Sequence, residues 1–255
     1  MPGTNHRAAG RGRSMLLALA AVAAGCLAGR PALAEPQAVW TGVERVVAFA
    51  DVHGAYAELT ALLQSVGVID DQARWTGGRT HVVSLGDLLD RGADSRRVMD
   101  LLMRLQREAE AAGGRVHVVL GNHEAMNVLG DLRYVDAGEY AAFAAEEDAA
   151  ERQRRRSEFL ARQPGATEAD FERLFPPGYF GHRRLLGPQG AYGRWLLALP
   201  VAIRIDDTAY MHGGPSRLLA GRSLEQLNRD YAAALAEYGA AEAALTAAGL
   251  LQFED

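Results

Sequence analysis

Two residue types are scarce in this chain of 255 residues. Lysine is absent, so arginine supplies all 27 basic side chains. A GC-rich genome produces this bias, which therefore carries no functional information. The single cysteine, Cys26, lies near the amino terminus. One cysteine excludes an intramolecular disulfide framework, and thiol chemistry is excluded from every residue after it.

The first 34 residues have the pattern of an export signal. Three arginines precede an apolar run over residues 15–27, and the tripeptide ALA at 32–34 is a small-x-small cleavage sequence. The run is too short and alanine-rich for a membrane span. The pattern predicts a signal peptide and a periplasmic or secreted protein. The sequence AAGC at 23–26 is similar to a lipoprotein box, so a lipid anchor at Cys26 is the alternative.

Acidic residues dominate beyond this leader. The chain carries 27 basic and 32 acidic residues, and without the four arginines of residues 1–34 the balance is 23 against 32, a net charge of −9. A domain of this charge is a poor general binder of nucleic acid. Excess carboxylate suits a protein that binds divalent cations, but it is equally common as a means of solubility. Charge alone does not choose between these.

Strand and helix patterns alternate over the first half of the mature chain. Strands are predicted at residues 43–50, 81–85 and 115–120, and helices at 56–66 and 95–112. The order β-α-β-α-β predicts a parallel sheet with right-handed crossovers. The expected fold class is therefore α/β.

The rest of the chain is expected to be mainly helical. Residues 131–199 are interpreted as a helical insertion, with helices at 139–163, 167–174 and 189–199. A strand pair at 201–205 and 208–211 and a helix at 224–251 are predicted to follow. The arginine-rich run at 152–156 is interpreted as a solvated helix face rather than a site for an anionic substrate.

Four short polar blocks each follow a predicted strand directly. They are DVHG at 51–54, GDLLDRG at 86–92, GNHE at 121–124 and HGG at 212–214. The spacing is 36 residues from Asp51 to Asp87 and 35 residues from Asp87 to Asn122, about one strand-helix-strand unit each. Parallel strands bring such blocks together at their carboxyl ends, where open α/β sheets bind ligands.

The side chains gathered in this way are Asp, Asn and His, which suit Mn, Fe, Zn or similar divalent ions. Asp51 and His53 lie at i and i+2, and on an extended segment both side chains point the same way. Asp87 can bridge two ions, while Asn122 and His212 can complete the second. One such residue after a strand is usually a cap. Three, each beside a histidine or second carboxylate, favour a metal centre that activates water and neutralises phosphoryl charge.

The four blocks resemble those of the calcineurin-like metallophosphoesterases, and within them the phosphoprotein phosphatase branch. The sequence GAYGRWL at 190–196 is similar, more specifically, to the bacterial Shewanella-like phosphatases. The resemblance covers roughly residues 43–230. It implies one domain over residues 35–255, built as a sandwich of two sheets flanked by helices, with the second sheet incomplete in this sequence.

The resemblance also implies roles for individual residues and two divalent metal ions (Mn, Fe or Zn) as cofactors. The implied ligands are Asp51, His53 and Asp87 for the first ion, and Asp87, Asn122 and His212 for the second. His123 resembles the general acid that protonates the leaving oxygen, and Asp90 the carboxylate that orients it. Arg91 resembles the phosphate-binding arginine, whose planar guanidinium can bind two phosphate oxygens. No covalent phosphoenzyme is expected.

The sequence departs from the family pattern at one point. The family has a further Gly-His block downstream of HGG, whereas no histidine follows His212. The expectation is that the sequence is truncated at the C-terminus. The alternative is a second metal that is one ligand short.

The predicted function is two-metal hydrolysis of phosphate monoesters on a phosphorylated protein (serine/threonine or tyrosine) or a small phosphoester, and the substrate rests on analogy alone. One alternative is a nucleotide or dinucleoside polyphosphate hydrolase. Another is a non-catalytic metal-binding remnant, against which the retained Asp90, Arg91 and His123 argue. No nucleic-acid partner and no membrane span in the mature chain are expected.

Overall fold

The computed structural model describes residues 37–251, and its first sheet is the predicted parallel one. Three strands lie in the order β2-β3-β4, all parallel: β2 (Val46–Phe49), β3 (His81–Ser84) and β4 (Arg115–Val118). Helices α1 (Tyr56–Ser65) and α2 (Ser95–Ala111) form the crossovers, and α3 (Asn122–Leu129) follows β4. The predicted β-α-β-α-β order is confirmed, whereas α3 was not predicted.

The second sheet is small and mixed. It has the order β1-β5-β6, from β1 (Val39–Trp40), β5 (Ala202–Ile205) and β6 (Thr208–Met211). Strand β1 runs parallel to β5, and β6 runs antiparallel to it. The predicted strand pair is confirmed. Strand β1 was not predicted, because two residues are too few to show a period.

Strand β3 packs on the second sheet with one face and on helices α1 and α2 with the other. All four residues of β3 are buried, and successive side chains of a strand point to opposite faces. Val82 belongs to the core formed with α1 and α2, whereas Val83 packs with Ile203 and Ile205 of the second sheet. The expected α/β sandwich of two sheets flanked by helices is therefore present.

Residues 137–197, called the helical segment below, contain five α-helices: α4 (Ala137–Ala141), α5 (Ala149–Arg162), α6 (Glu168–Leu174), α7 (Tyr179–Leu186) and α8 (Ala191–Leu197). The prediction of one helix over 139–163 is wrong. The helix is interrupted before α5, where the Asp148 side chain caps a new helix by accepting hydrogen bonds from the N–H groups of Ala150 and Glu151. Helix α6 begins after Thr167, whose side chain caps it by accepting the N–H group of Asp170.

The arginine-rich run is not simply a solvated face. The Arg152 side chain is only 17% exposed and pairs with Glu147 and Glu172. Arg156 pairs with Glu168. The run therefore holds neighbouring helices together through ion pairs.

A long helix follows the second sheet and is the last helix of the described residues. Helix α9 (Leu224–Ala247) follows the second sheet and begins at a capping box formed by Ser223 and Gln226. Within residues 37–251, no helix combines the length and the apolar character needed to cross a membrane. The predicted signal peptide and Cys26 lie outside the described residues.

His117 is a buried histidine in the middle of β4. It is 6% exposed, and its Nε2 lies 3.1 Å from Nδ1 of His81 on β3. Burial, with further contributions from His81 and Arg115, lowers the pKa of His117 from 6.5 to about 3. Burial likewise lowers the pKa of His81. Both are sheet residues whose charged form is disfavoured by burial.

We expect the stability of the fold to decrease on acidification because of His117. Between pH 6.5 and about 3, His117 is protonated in the unfolded chain but not in the folded chain. Each pH unit below 6.5 then removes about 1.4 kcal/mol of unfolding free energy. Urea unfolding at pH 7 and pH 5 should show wild type losing about 2 kcal/mol more than His117→Gln. Equal losses in the two proteins would contradict this.

Candidate metal centre

The four polar blocks meet at one edge of the molecule. Asp51, Asp87 and Asn122 follow the carboxyl ends of β2, β3 and β4, and His212 follows β6. The first two blocks are hydrogen-bonded to each other, since the N–H groups of Val52 and His53 donate to Asp87 O at 2.8 and 2.9 Å. The parallel sheet therefore brings these residues together as the spacing predicted.

Backbone strain is concentrated in these loops. Six non-glycine residues in the described part of the chain have positive φ, and four of them are predicted site residues: His53 (47°), Asp87 (53°), Asp90 (71°) and Arg91 (66°). Such conformations cost about 1–3 kcal/mol each and persist only where the surrounding structure holds them. Their clustering points to a functional site.

The convergence of Asp51 and His53 has a different cause from the one predicted. The chain leaves β2 at Phe49, and His53 lies in a left-handed turn, so the extended i, i+2 geometry is wrong. The turn needs a close backbone approach, because a Cβ at Gly92 would lie 2.3 Å from His53 O. The two side chains nevertheless meet, with His53 Nε2 at 3.7 Å from Asp51 Oδ2.

One imidazole nitrogen of His53 has a lone pair that can bind a cation. Its Nδ1 lies 2.9 Å from Leu89 O, and because a carbonyl only accepts, Nδ1 carries the proton. This leaves a lone pair on Nε2, which is buried and has no hydrogen-bond partner among residues 37–251. Asp87 Oδ2 lies 3.8 Å from it. Ligand atoms that share an ion at about 2.0–2.2 Å lie about 3–4 Å apart, so the distances fit a shared metal.

His212 repeats this arrangement on the other side of Asp87. Its Nδ1 lies 2.9 Å from Leu85 O, which again places the lone pair on Nε2. That nitrogen faces two further acceptors, Asn122 Oδ1 at 3.0 Å and Asp87 Oδ2 at 3.3 Å. Three converging acceptors repel one another unless a cation lies among them. The donor set therefore fits a divalent ion.

Asp87 belongs to both groups of metal-binding side chains in the described residues. One group is His53, Asp87 and His123, and the other is Asp51, Asp87 and His212; the ligand atoms of each lie within 4.8 Å of one another. All five predicted ligands are thus brought together, with Asn122 beside His212. Sharing of Asp87 agrees with its predicted bridging role.

His123 is bonded differently from the other two histidines. Its Nδ1 lies 2.5 Å from Asp90 Oδ2, and its Nε2 lies 3.3 Å from Arg91 Nη2. Both ring nitrogens of His123 therefore have partners, whereas His53 has one for Nδ1 and, among residues 37–251, none for Nε2. This geometry favours the predicted acid role of His123 over a ligand role, although its Nε2 is 3.8 Å from Asp87 Oδ2.

Two residues that the sequence motifs did not identify lie beside the His123–Asp90 pair. Asn127, one helical turn after His123 on α3, donates from Nδ2 to Asp90 Oδ1 at 2.9 Å and to His123 O at 3.0 Å. The ring of Tyr134, which is 45% exposed, lies 5.2 Å from the His123 ring. The i, i+4 spacing from His123 was a signal for Asn127. No sequence signal identified Tyr134.

Glu124 holds the loop that carries Asp87. Its carboxylate is fully buried and accepts three backbone N–H groups, from Asp87, Leu88 and Gly121, at 2.7–2.8 Å. Burial raises the pKa of Glu124, and these three hydrogen bonds oppose the increase. The GNHE block was the signal for this residue, but its role as a backbone acceptor follows only from the three-dimensional contacts.

We expect Glu124→Gln to destabilise the chain by about 3 kcal/mol, because the amide turns a donor toward backbone N–H groups and leaves a buried donor unpaired. Urea unfolding in the presence of a chelator measures the effect without a metal contribution. Glu58→Gln, at an exposed position of α1, is the control. A change within about 0.5 kcal/mol for both variants would contradict the supporting role of Glu124.

Comparison with known proteins agrees with this geometry. The family described as calcineurin-like phosphoesterase matches residues 44–240. The chain belongs to this family. The matched range is close to residues 43–230, over which the motifs resemble it. The resemblance predicted from the four blocks is confirmed, and with it the α/β fold class.

This calcineurin-like phosphoesterase is 48% identical to Shewanella-like protein phosphatase 2 of Arabidopsis thaliana over 92 residues, 36% of this chain and 24% of that protein. It is 26% identical to Shewanella-like protein phosphatase 1 of Plasmodium berghei over 189 residues, 74% and 43% of the two chains. A solved structure of a cold-active protein-tyrosine phosphatase from a psychrophilic Shewanella species is 30% identical, with a TM-score of 0.57 over 82% of this chain and 56% of that one.

These relatives confirm the more specific resemblance to the Shewanella-like phosphatases. The chain spans less than half the length of either curated relative and about half of the solved one.

Proposed function

We propose that this phosphoesterase hydrolyses phosphate monoesters at the Asp87 centre with the help of divalent metal ions. The observation that carries the proposal is the position of Asp87, which both metal-binding groups share and which lies beside the His123–Asp90 pair. A remnant that had only kept a metal would need neither the acid nor its orienting carboxylate. This combination supports a catalytic site over a non-catalytic metal-binding remnant.

The metal ligands we propose are the five predicted residues: Asp51, His53, Asp87, Asn122 and His212. Two divalent ions held there would supply Lewis-acid neutralisation of the phosphoryl charge and an activated water. Oxygen and imidazole donors suit Mn, Fe or Zn.

Arg91 and His123 perform the remaining steps on the substrate. The exposed Arg91 guanidinium binds two non-bridging phosphate oxygens, and in doing so leaves His123 Nε2. Once Arg91 has turned to the phosphate, His123 Nε2 takes up a proton from solvent. As the bond from phosphorus to the leaving oxygen breaks, Nε2 gives this proton to that oxygen. Asp90 accepts the Nδ1–H bond throughout, so it holds the ring orientation and stabilises the protonated imidazole.

The substrate we propose is a phosphorylated protein or peptide, with phosphotyrosine preferred. The half-exposed ring of Tyr134 lies against His123, where it can contact an aromatic leaving group. The Shewanella relative is a protein-tyrosine phosphatase, which supports the same choice. A nucleotide or dinucleoside polyphosphate is the alternative, because a base also offers an aromatic face.

A substrate panel separates these alternatives. With Mn²⁺ present, we expect kcat/KM to be highest for a phosphotyrosyl peptide, lower for phosphoseryl and phosphothreonyl peptides, and lowest for diadenosine tetraphosphate. Tyr134→Ala should lower kcat/KM for the phosphotyrosyl peptide about tenfold, the value of one aromatic contact. Tyr238→Ala, at another exposed tyrosine on α9, is the control. Faster hydrolysis of the nucleotide than of every peptide would contradict the proposal.

A further inference from the structure

Glu139 is a fully buried carboxylate that the proposed chemistry does not use. It lies on α4, and both it and His182 of α7 have no exposed surface. Its Oε1 is 3.2 Å from His182 Nε2. Its Oε2 accepts the Ser95 hydroxyl at 2.6 Å and the Asp90 backbone N–H at 3.3 Å. Burial of such groups costs several kcal/mol each in desolvation, so the arrangement calls for a reason.

His182 fixes the direction of this carboxylate. An ionised carboxylate only accepts hydrogen bonds, so His182 Nε2 donates to Glu139. The rings of Tyr140 and Phe143 meet the imidazole edge-on at 5.1 and 5.2 Å and prevent it from turning. His182 Nδ1 is buried and has no hydrogen-bond partner in the described part of the chain. Within residues 37–251, the contact with Glu139 is therefore the only polar contact of the His182 ring.

The other end of the contact is the loop that carries Asp90. Asp90 has a left-handed φ of 71° and directs its Oδ2 to His123 Nδ1. Helix α4 lies directly on this loop, since a Cβ at Gly138 would lie 2.6 Å from Ala93 Cβ. A strained aspartate conformation persists only where its surroundings hold it, and Glu139 holds the Asp90 backbone N–H.

We propose that Glu139, fixed by His182, is a positioning residue that holds Asp90 in the conformation which orients His123. The helical segment would then contribute to proton transfer without touching the substrate. This inference rests on the proposed function, in which His123 protonates the leaving oxygen. Its effect should therefore depend on how much the leaving group needs that proton.

The leaving-group dependence of Glu139→Gln tests the proposal. Misplacement of a catalytic group through its supporting residues lowers rates about 10–100-fold. We expect a loss of about this size in kcat for phenyl phosphate, less than about threefold for 2,4-dinitrophenyl phosphate, whose oxygen leaves without a proton, and little change in KM.

Glu147→Gln is the matched control. The Glu147 side chain is 7% exposed, lies in the same segment, and accepts the N–H groups of Gly178 and Phe180 and an ion pair from Arg152. These partners belong to α5 and to the start of α7, and none of them is a residue of the Asp90 loop, so this variant should lose stability but slow both substrates by the same factor. Equal factors for Glu139→Gln as well would overturn the proposal.

A second readout works without turnover. The short contact between His123 Nδ1 and Asp90 Oδ2 should give a strongly downfield proton resonance in the NMR spectrum of the metal-free chain, at fixed pH. We expect this resonance in wild type and Glu147→Gln, and its loss or upfield shift in Glu139→Gln. If only Glu139→Gln changes the resonance but wild type shows no turnover, the proposed function is refuted and the positioning role stands. An unchanged resonance in Glu139→Gln would refute the positioning role.

Variants of His182 complete the test where Glu139→Gln folds poorly. His182→Gln retains a donor for Glu139 and should keep near wild-type rates for phenyl phosphate. His182→Phe removes the donor and should reproduce the selective loss with phenyl phosphate. Identical behaviour of these two folded variants would overturn the role assigned to the pair.

Discussion

Asp87→Asn should lower kcat/KM for p-nitrophenyl phosphate by about 10³-fold or more. Both metal-binding groups share this carboxylate, and its Oδ2 lies 3.8 Å from His53 Nε2 and 3.3 Å from His212 Nε2. An amide keeps the size of the side chain but removes the charge that binds a cation. Metals contribute several kcal/mol to phosphoryl transfer, and each 1.36 kcal/mol is about tenfold in rate.

Calorimetric titration of the chelator-treated chain with Mn²⁺ distinguishes loss of metal from loss of fold. Asp207→Asn is the control, because Asp207 is an exposed carboxylate in the turn between β5 and β6. We expect wild-type metal binding and turnover for this control, and weak binding for Asp87→Asn with an unchanged far-UV spectrum. Full metal binding by Asp87→Asn would contradict the shared role of this residue.

His123→Ala should lower kcat by about 10²–10⁴-fold for phenyl phosphate, the range that general acid catalysis contributes. The effect should be less than about tenfold for 2,4-dinitrophenyl phosphate, which needs no protonation of its leaving oxygen. His123 is the histidine whose Nδ1 is held by a buried carboxylate, so loss of its ring removes the acid and its orientation together.

Metal affinity is the control for this variant. Because His123 Nε2 already contacts Arg91, we expect His123→Ala to bind Mn²⁺ within about threefold of wild type, a difference below 1 kcal/mol. His53→Ala, which removes the unpartnered Nε2, should instead weaken metal binding strongly. Loss of metal in both variants, with equal rate losses for the two substrates, would make His123 a ligand rather than the acid.

The residues of the candidate site were predictable because they are local in sequence. Each block follows a strand, and the parallel order of β2, β3 and β4 brings the blocks to one edge. The turn that orients His53 was not predictable in this way, because its left-handed φ depends on the close approach of Gly92. Sequence spacing predicts which residues come together, whereas the contacts between the loops determine the geometry in which they do so.

The supporting residues could not be predicted for a different reason. Glu139 and Tyr134 reach the site from beyond α3, at separations of 49 residues from Asp90 to Glu139 and of 11 from His123 to Tyr134 in the chain. No short motif links residues that meet only through tertiary packing. The wrong helix over 139–163 has a local cause instead. The alanine-rich composition favours helix throughout, whereas the Asp148 cap begins a new helix.

Metal-dependent turnover of p-nitrophenyl phosphate by the purified chain decides whether the Asp87 centre is catalytic. The chain would be stripped with a chelator and titrated with Mn²⁺ while phosphate release and metal binding are followed together. We predict no turnover without metal, and turnover that rises as metal fills the Asp87 centre. A folded chain that binds Mn²⁺ and releases no phosphate from p-nitrophenyl phosphate would contradict the account.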